Sequence, residues 1–128
     1  MNSRDQFIKE FRGEALGAIT SETSEEEYFQ NQTLRPILKL QNDIFIALFK
    51  NYIIKSKADF ENFTIDKKMQ FIDVSIQNDM QFRSLLNGII IGVFTAGEYL
   101  MYARNSSNLN KRMMTMLIDR LKDQVQLL

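Results

Sequence analysis

Apolar side chains recur at intervals of three and four residues along most of this 128-residue chain, and only Pro36 lacks the backbone donor that a helix uses. Apolar residues at this spacing line one side of an α-helix. No stretch sustains the alternation of apolar and polar residues that marks a half-buried strand. The sequence therefore predicts an all-α fold.

Helix-capping residues divide this pattern into about six segments. Ser24 precedes three glutamates, and Thr95 stands three residues before Glu98, so both are typical of a capping box. Thr64 precedes another apolar stripe, and Asp79 interrupts one where a buried carboxylate would be costly. The predicted segments cover about 4–19, 24–55, 65–78, 80–94, 95–104 and 107–128, within a single domain that spans residues 1–128.

The range 24–55 is either two helices or one helix kinked at Pro36, because a proline disfavours helical geometry in the residue before it. From Pro36 to Lys55, apolar residues cover most of the helix circumference and charged residues occupy one narrow strip. A helix this apolar is normally surrounded by others. We therefore expect a compact bundle of five to six helices around a central apolar helix at about 36–55.

The chain contains no histidine and no cysteine. These residues supply the usual general base at neutral pH, the thiolate nucleophile and the commonest zinc ligands. Carboxylates such as Glu10 and Glu14 show neither EF-hand spacing nor a Glu-x-x-His motif. We therefore predict no metal site, no cofactor and no catalytic residue. The rival that stays open is an enzyme that uses carboxylate, lysine or tyrosine groups.

The formal charge is zero, with 16 basic and 16 acidic residues, so broad binding to nucleic acid through phosphate contacts is not indicated. One local pattern favours DNA. The segments on either side of 105–107 resemble a helix-turn-helix, with Lys111 and Arg112 at the start of the second helix. Bundle helices joined by a short turn have the same pattern, so a weak DNA binder is kept only as an alternative.

The most apolar stretch, residues 85–103, contains Asn87 and Glu98 and is not expected to span a bilayer. The first residues include the charged pair Arg4 and Asp5 and lack the apolar core of a signal peptide. We therefore expect a cytoplasmic protein without a membrane partner.

Two of the predicted segments carry more apolar residues than a small bundle easily buries, and such a surplus usually marks an interface. The small residues Ser84, Gly88 and Gly92 are spaced four apart, which lets another backbone approach closely. The predicted interface consists of Phe49, Ile53, Ile54, Ser84, Gly88, Ile91, Gly92, Phe94, Met113 and Met116. We therefore predict a non-catalytic interaction or regulatory protein that forms a homo-oligomer or binds another protein.

Four uncharged polar residues on otherwise apolar segments raise the alternative of a small-molecule site. Polar groups that converge inside a helical bundle can orient a ligand in an apolar cavity. The candidates are Gln41, Asn42, Asn87 and Tyr102. The same residues also suit a structural hydrogen-bond network, which is the simpler interpretation.

The sequence resembles a family of small, uncharacterised bacterial all-helical proteins, some of which carry the label glyoxalase. The stretches that carry the resemblance are Phe11-Arg12-Gly13-Glu14-Ala15-Leu16-Gly17, 24–32, 34–42 and 105–114. The resemblance implies a bacterial and cytoplasmic protein. The label implies a βαβββ metalloenzyme with histidine and glutamate ligands, but this chain has neither the histidines nor the strand pattern. No activity and no site residue are therefore carried over from that label.

Overall fold

The computed structural model of the protein describes residues 2–13 and 24–128. Within these ranges the chain is helical and contains no strand, which confirms the predicted all-α class. The α-helices are α1 (Ser3–Arg12), α2 (Glu25–Phe29), α3 (Arg35–Leu40), α4 (Asn42–Ser56), α5 (Ile65–Asn78), α6 (Met80–Ile91), α7 (Ala96–Ala103) and α8 (Ser106–Asp123). A π-helix, Gln30–Leu34, joins α2 to α3, and 3₁₀ turns occupy Phe60–Asn62 and Val125–Leu127. Positions 14–19 of the first predicted helix lie outside the described residues.

Local capping signals place several helix starts where the sequence predicts them. The side chains of Ser24, Thr64 and Asp79 each accept a hydrogen bond from the backbone N–H three residues ahead, at 3.1, 3.2 and 3.1 Å. Thr95 and Glu98 form the predicted capping box. Each bond satisfies a donor that the first turn of a helix leaves without an intrahelical partner.

The chain does not break at Pro36. Helical geometry continues from Glu25 to Leu40, and the π-helix widens the turn just before the proline. Proline has no N–H to donate and its ring crowds the preceding turn, so a wider turn accommodates both features. The break falls at Gln41, whose backbone (φ −90°, ψ 5°) leaves the helical region before α4 begins.

The predicted central helix at 36–55 is not confirmed. Its first part, α3, buries Pro36, Ile37 and Leu38, but α4 leaves Ile44 and Ile54 exposed. Among the described helices α8 buries the most side chains, which are Leu109, Met113, Met114, Leu117, Ile118 and Leu121. The segment 36–55 is apolar around most of its circumference, yet other helices do not surround it. A chain of this size leaves much of its apolar surface exposed.

Helices α4 and α6 lie side by side and run in opposite directions. At one end the Gln41 side-chain amide donates to the Ile89 carbonyl at 3.3 Å. At the other end the Tyr52 hydroxyl donates to Asp79 at 3.0 Å, and its ring stacks on Phe82 with a centroid distance of 4.2 Å. The middle of α4 therefore lies alongside the middle of α6.

Candidate interaction surface

Helix α1 is fastened to the junction of α6 and α7 by polar contacts at two helix ends. Arg4 donates to the carbonyls of Phe94 at 2.8 Å and Gly92 at 3.0 Å, just beyond the end of α6. Asp5 accepts from the Ala96 N–H at 3.1 Å, at the first residue of α7. A cation after a helix end and an anion at a helix start both match the helix dipole. These contacts fix the position of α7 relative to α6.

A buried ion pair completes this junction. The Arg12 guanidinium donates to both carboxylate oxygens of Glu98, at 2.5 and 2.7 Å, and to the Val93 carbonyl at 3.1 Å. The two side chains are only 4% and 9% exposed. Glu98 also accepts from the Thr33 hydroxyl at 2.8 Å and from the Thr95 N–H at 2.7 Å. A buried carboxylate with this many donors is fully compensated for its loss of water.

Two opposing effects set the pKa of Glu98. Burial alone raises the pKa, because it disfavours the charged carboxylate. Hydrogen bonds from Arg12, from the Thr95 N–H and from Thr33, together with the charge of Arg12, lower the pKa and outweigh burial. The net pKa lies below the usual value of 4.5, so Glu98 is ionised at neutral pH.

This lowered pKa predicts a specific loss of stability in acid. A carboxyl group whose pKa is lowered by folding stabilises the fold above its unfolded pKa, and that stabilisation is lost as the pH falls through its folded pKa. We expect the free energy of unfolding of the unmodified chain to exceed that of Glu98→Gln by a constant amount at neutral pH. Below pH 4.5 the difference should shrink. Urea unfolding across this range measures it, and a difference that stays constant into acid would refute the assignment.

The pairing of Glu98 leaves the outer side of α7 without charge. Glu98 and Tyr102 are the buried residues of α7. Its large exposed side chains are Tyr99, Leu100 and Met101, and Leu100 is 61% exposed. A surface helix normally turns its charged residues to water and its apolar residues to the core. Helix α7 reverses that arrangement.

Helix α6 also has an uncharged outer side, which we call the α6 face and define as Ser84, Leu85, Gly88 and Gly92. All four residues are exposed, and the Leu85 residue is 48% exposed. A Cβ atom added at Gly88 would meet no atom within 4 Å, so this glycine leaves an open notch in the surface. A Cβ at Gly92 would lie 3.1 Å from the Gly88 carbonyl oxygen, so a larger residue there would crowd the turn that ends α6. Ile44 of the adjacent α4 is exposed as well.

The structure separates the predicted interface residues into three groups. Phe49, Phe94 and Met113 are buried in the core of a single chain, and in this conformation they are closed to a partner. The half-buried residues are Ile53, Ile91 and Met116, and the exposed ones are Ile54, Ser84, Gly88 and Gly92. Among the residues of 2–13 and 24–128, Ile54 is the most exposed large apolar residue, at 74%. Exposed large apolar residues also occur at positions that the sequence did not single out, such as Leu85 and Leu100.

Three of the four residues of the predicted polar pocket make hydrogen bonds to different parts of the chain. Gln41 donates to Ile89, whereas Asn42 exchanges hydrogen bonds of 2.8 Å with Gln124 at the end of the chain. The Tyr102 hydroxyl donates to Asn110 at 2.6 Å. Within the described residues, the buried Asn87 Oδ1 has no hydrogen-bond partner. Three of the four residues thus make separate structural contacts, as the simpler interpretation expects, and the small-molecule pocket stays a prediction.

Three further observations bear on other site classes. Within 2–13 and 24–128, no group of three or more acidic residues is arranged to hold a metal ion. Every helix in those ranges is too short or too polar to extend across a bilayer. Helix α8 would be the second, DNA-contacting helix of the predicted helix-turn-helix. Its Lys111 is exposed, but Arg112 is half-buried and donates to Gln30 at 2.6 Å and to Glu26 at 3.2 Å. Arg112 is therefore already engaged by its own chain.

The reversed helix α7 and the Arg12–Glu98 pair were missed by sequence reasoning. One signal was available: between Arg83 and Arg104 the only charged residue is Glu98. The capping box at Thr95 indicates that the Glu98 carboxylate turns back toward the helix start. That orientation suggests that the outer side of the whole stretch is uncharged.

Comparison of the chain with models of protein families, with curated proteins and with solved structures gives no match. The resemblance to the bacterial all-helical family therefore stays a prediction.

Proposed function

We propose that this protein is a non-catalytic interaction protein that forms a homodimer through the α6 face, extended by the outer side of α7. The observation that carries the proposal is that Glu98 is the only charged residue between Arg83 and Arg104, and that it is buried against Arg12. The exposed side chains from Ser84 to Ala103 are therefore uncharged, and the charges that border them are Arg4, which donates to the Gly92 carbonyl, and Arg104, which donates to the Leu100 carbonyl. Exposed apolar surface of this kind is typical of a protein interface.

A second copy of the chain suits the α6 face because the face contains both a projecting side chain and a notch that can receive one. Leu85 projects from the surface, and the notch at Gly88 lies one turn away on the same side of α6. In a two-fold symmetric contact each residue of one copy meets the symmetry-related region of the other. Leu85 of each copy can then fill the notch beside Gly88 of its partner, and small residues at the crossing let the two helices approach closely.

The absence of charge also favours a symmetric contact. Near a two-fold axis, a charged residue lies close to the same residue of its partner, and the resulting repulsion weakens association. Ser84, Leu85 and Gly88 carry no charge and avoid this penalty, whereas the guanidinium of Arg4 lies at the Gly92 end of the face. Exposed Ile44 of α4 and the half-buried Ile91 extend the face on either side of α6. Burying an exposed aliphatic side chain contributes up to about 1.5–3 kcal/mol, so a few such residues are enough for measurable self-association.

The proposal includes a cytoplasmic location and excludes nucleic acid as the main partner. The lack of cysteine is compatible with a reducing compartment, and the formal charge of zero gives no general attraction to phosphate backbones.

Sedimentation equilibrium of the unmodified chain over a range of concentrations tests the proposal. We expect the mass to rise from the monomer value of 15.0 kDa toward twice that value as the concentration increases. The equilibrium between monomer and dimer should depend only weakly on salt, because the proposed contact contains no ion pair. A mass that stays at 15.0 kDa at the highest attainable concentration would contradict the proposal.

A further inference from the structure

A groove of about 840 Å³ separates the α2–α3 stretch from α8, on a part of the surface that the α6 face does not include. At one end Arg112 of α8 donates to Gln30 and Glu26. At the other end Arg120 of α8 donates to Asn42, just beyond α3, at 2.8 Å. These contacts bridge the groove at both ends. Between them its walls stand apart.

Cationic residues line both walls of the groove. Arg35 and Lys39 lie one helical turn apart on one wall, and Lys111 and Thr115 lie one turn apart on the other. Arg35, Lys39 and Lys111 are exposed. Among the described residues, no ion pair or hydrogen bond engages Lys39 or Lys111. These two ammonium groups are therefore available to a ligand.

Among the residues that the structure describes, Arg35 makes one side-chain hydrogen bond, and its terminal nitrogens take no part in it. Its Nε donates to the Asn31 side chain at 2.8 Å, and Asn31 is a buried residue of the π-helix. This bond fixes the guanidinium plane and uses only the inner nitrogen. The two outer nitrogens remain able to donate in parallel to one anion, which is the geometry that arginine uses for phosphate. π-helical turns are frequent at functional sites.

Acidic residues occur toward the two ends of the groove. Glu26 lies at the end where Arg112 crosses, and its pKa is lowered chiefly by a hydrogen bond from Asn105, so it is ionised at neutral pH. Asp119 and Asp123 lie toward the end where Arg120 crosses. A long polyanion such as a nucleic-acid strand would meet negative charge at both ends. A compact anion in the middle would not.

We propose that this groove binds a small organic phosphate. Arg35, Lys39 and Lys111 supply the positive charge that a phosphate dianion requires, and the Thr115 hydroxyl supplies a further donor. Leu38 and Met116 add apolar surface for the organic part of the ligand. The volume lies within the range of about 300–1,000 Å³ that is typical of small-molecule sites.

A titration followed by two-dimensional NMR tests this site, with phenyl phosphate and inorganic phosphate as probes at constant ionic strength. We expect the amide signals of 35–39 and 111–116 to shift, and phenyl phosphate to bind more tightly because of its apolar ring. Arg35→Gln and Lys111→Gln should each weaken binding by about tenfold, since each removes a charge-assisted contact. Both side chains are exposed, so the fold should tolerate the changes.

Lys50→Gln is the matched control, because Lys50 is an exposed lysine of α4 and does not line the groove. It should leave the affinity for phenyl phosphate unchanged. The proposal would be overturned if the control weakened binding as much as Lys111→Gln, or if shifts were spread over unrelated surfaces. It would also be overturned if mixed-sequence duplex DNA bound the groove while phenyl phosphate did not.

Discussion

Replacing Glu98 with leucine is expected to lower the free energy of unfolding by about 3–5 kcal/mol, because it leaves the charge of Arg12 buried without its partner. The Arg12 side chain is only 4% exposed, so water cannot replace the lost carboxylate. The same change removes the acceptor of the Thr33 hydroxyl and of the Thr95 N–H. Urea unfolding followed by circular dichroism measures the change from the shift in midpoint.

The double variant Arg12→Leu/Glu98→Leu separates the cost of a lone charge from the contribution of the pair. It should recover a substantial part of the lost stability, because replacing both members of a buried ion pair with apolar residues leaves no uncompensated charge. The matched control is Glu25→Leu, which removes an exposed glutamate from the first turn of α2 and should cost no more than about 1 kcal/mol. A loss of that size for Glu98→Leu would show that the Arg12–Glu98 pair is not buried in solution.

Replacing Leu85 with glutamate is expected to raise the dissociation constant of the proposed dimer by about a hundredfold or more. The change removes an apolar side chain from the centre of the contact and places two carboxylates near the symmetry axis. Like charges brought together at an interface cost several kcal/mol, and each 1.4 kcal/mol is a factor of ten. Sedimentation equilibrium of the variant and of the unmodified chain gives the ratio directly.

Ile65→Glu is the control for this experiment, since Ile65 is an exposed aliphatic residue at the start of α5 and lies outside the α6 face. It should leave self-association unchanged.

Gly88→Ala should change the stability of the monomer and the affinity of the dimer in opposite directions. The new Cβ meets no atom within 4 Å, so the alanine should stabilise the monomer by up to about 1 kcal/mol through helix propensity. The same methyl group fills the notch and should weaken the dimer. If Leu85→Glu and Ile65→Glu weakened association equally, the α6 face would not be the contact.

Features that depend on neighbouring residues were predictable from the sequence. The all-helical class follows from apolar periodicity, and the helix starts at Ser24, Thr64 and Thr95 follow from side chains that bond the backbone three residues ahead. The end of the first long helical stretch at Gln41 was missed. Apolar residues continue through that point at helical spacing, so periodicity gives no sign of the break.

Features that depend on distant residues were not predictable. Arg12 and Glu98 lie 86 positions apart, and no local pattern indicates that they meet. The sequence also did not predict which apolar residues are buried and which are exposed. Phe94 is buried and Leu100 is exposed, although both lie in the stretch between Arg83 and Arg104 whose only charged residue is Glu98. Phe94 packs edge-to-face against Phe29 of α2, a distant contact that no local pattern indicates.

The most direct test of the α6 face is an isotope-filtered NOE experiment on an equal mixture of carbon-13-labelled and unlabelled copies. Such an experiment detects only contacts between protons of different chains. We predict intermolecular NOEs from the Leu85 methyl groups of one copy to Gly88 and Ser84 of the other. Intermolecular NOEs confined to other surfaces, or none at concentrations where sedimentation shows a dimer, would contradict the proposed contact.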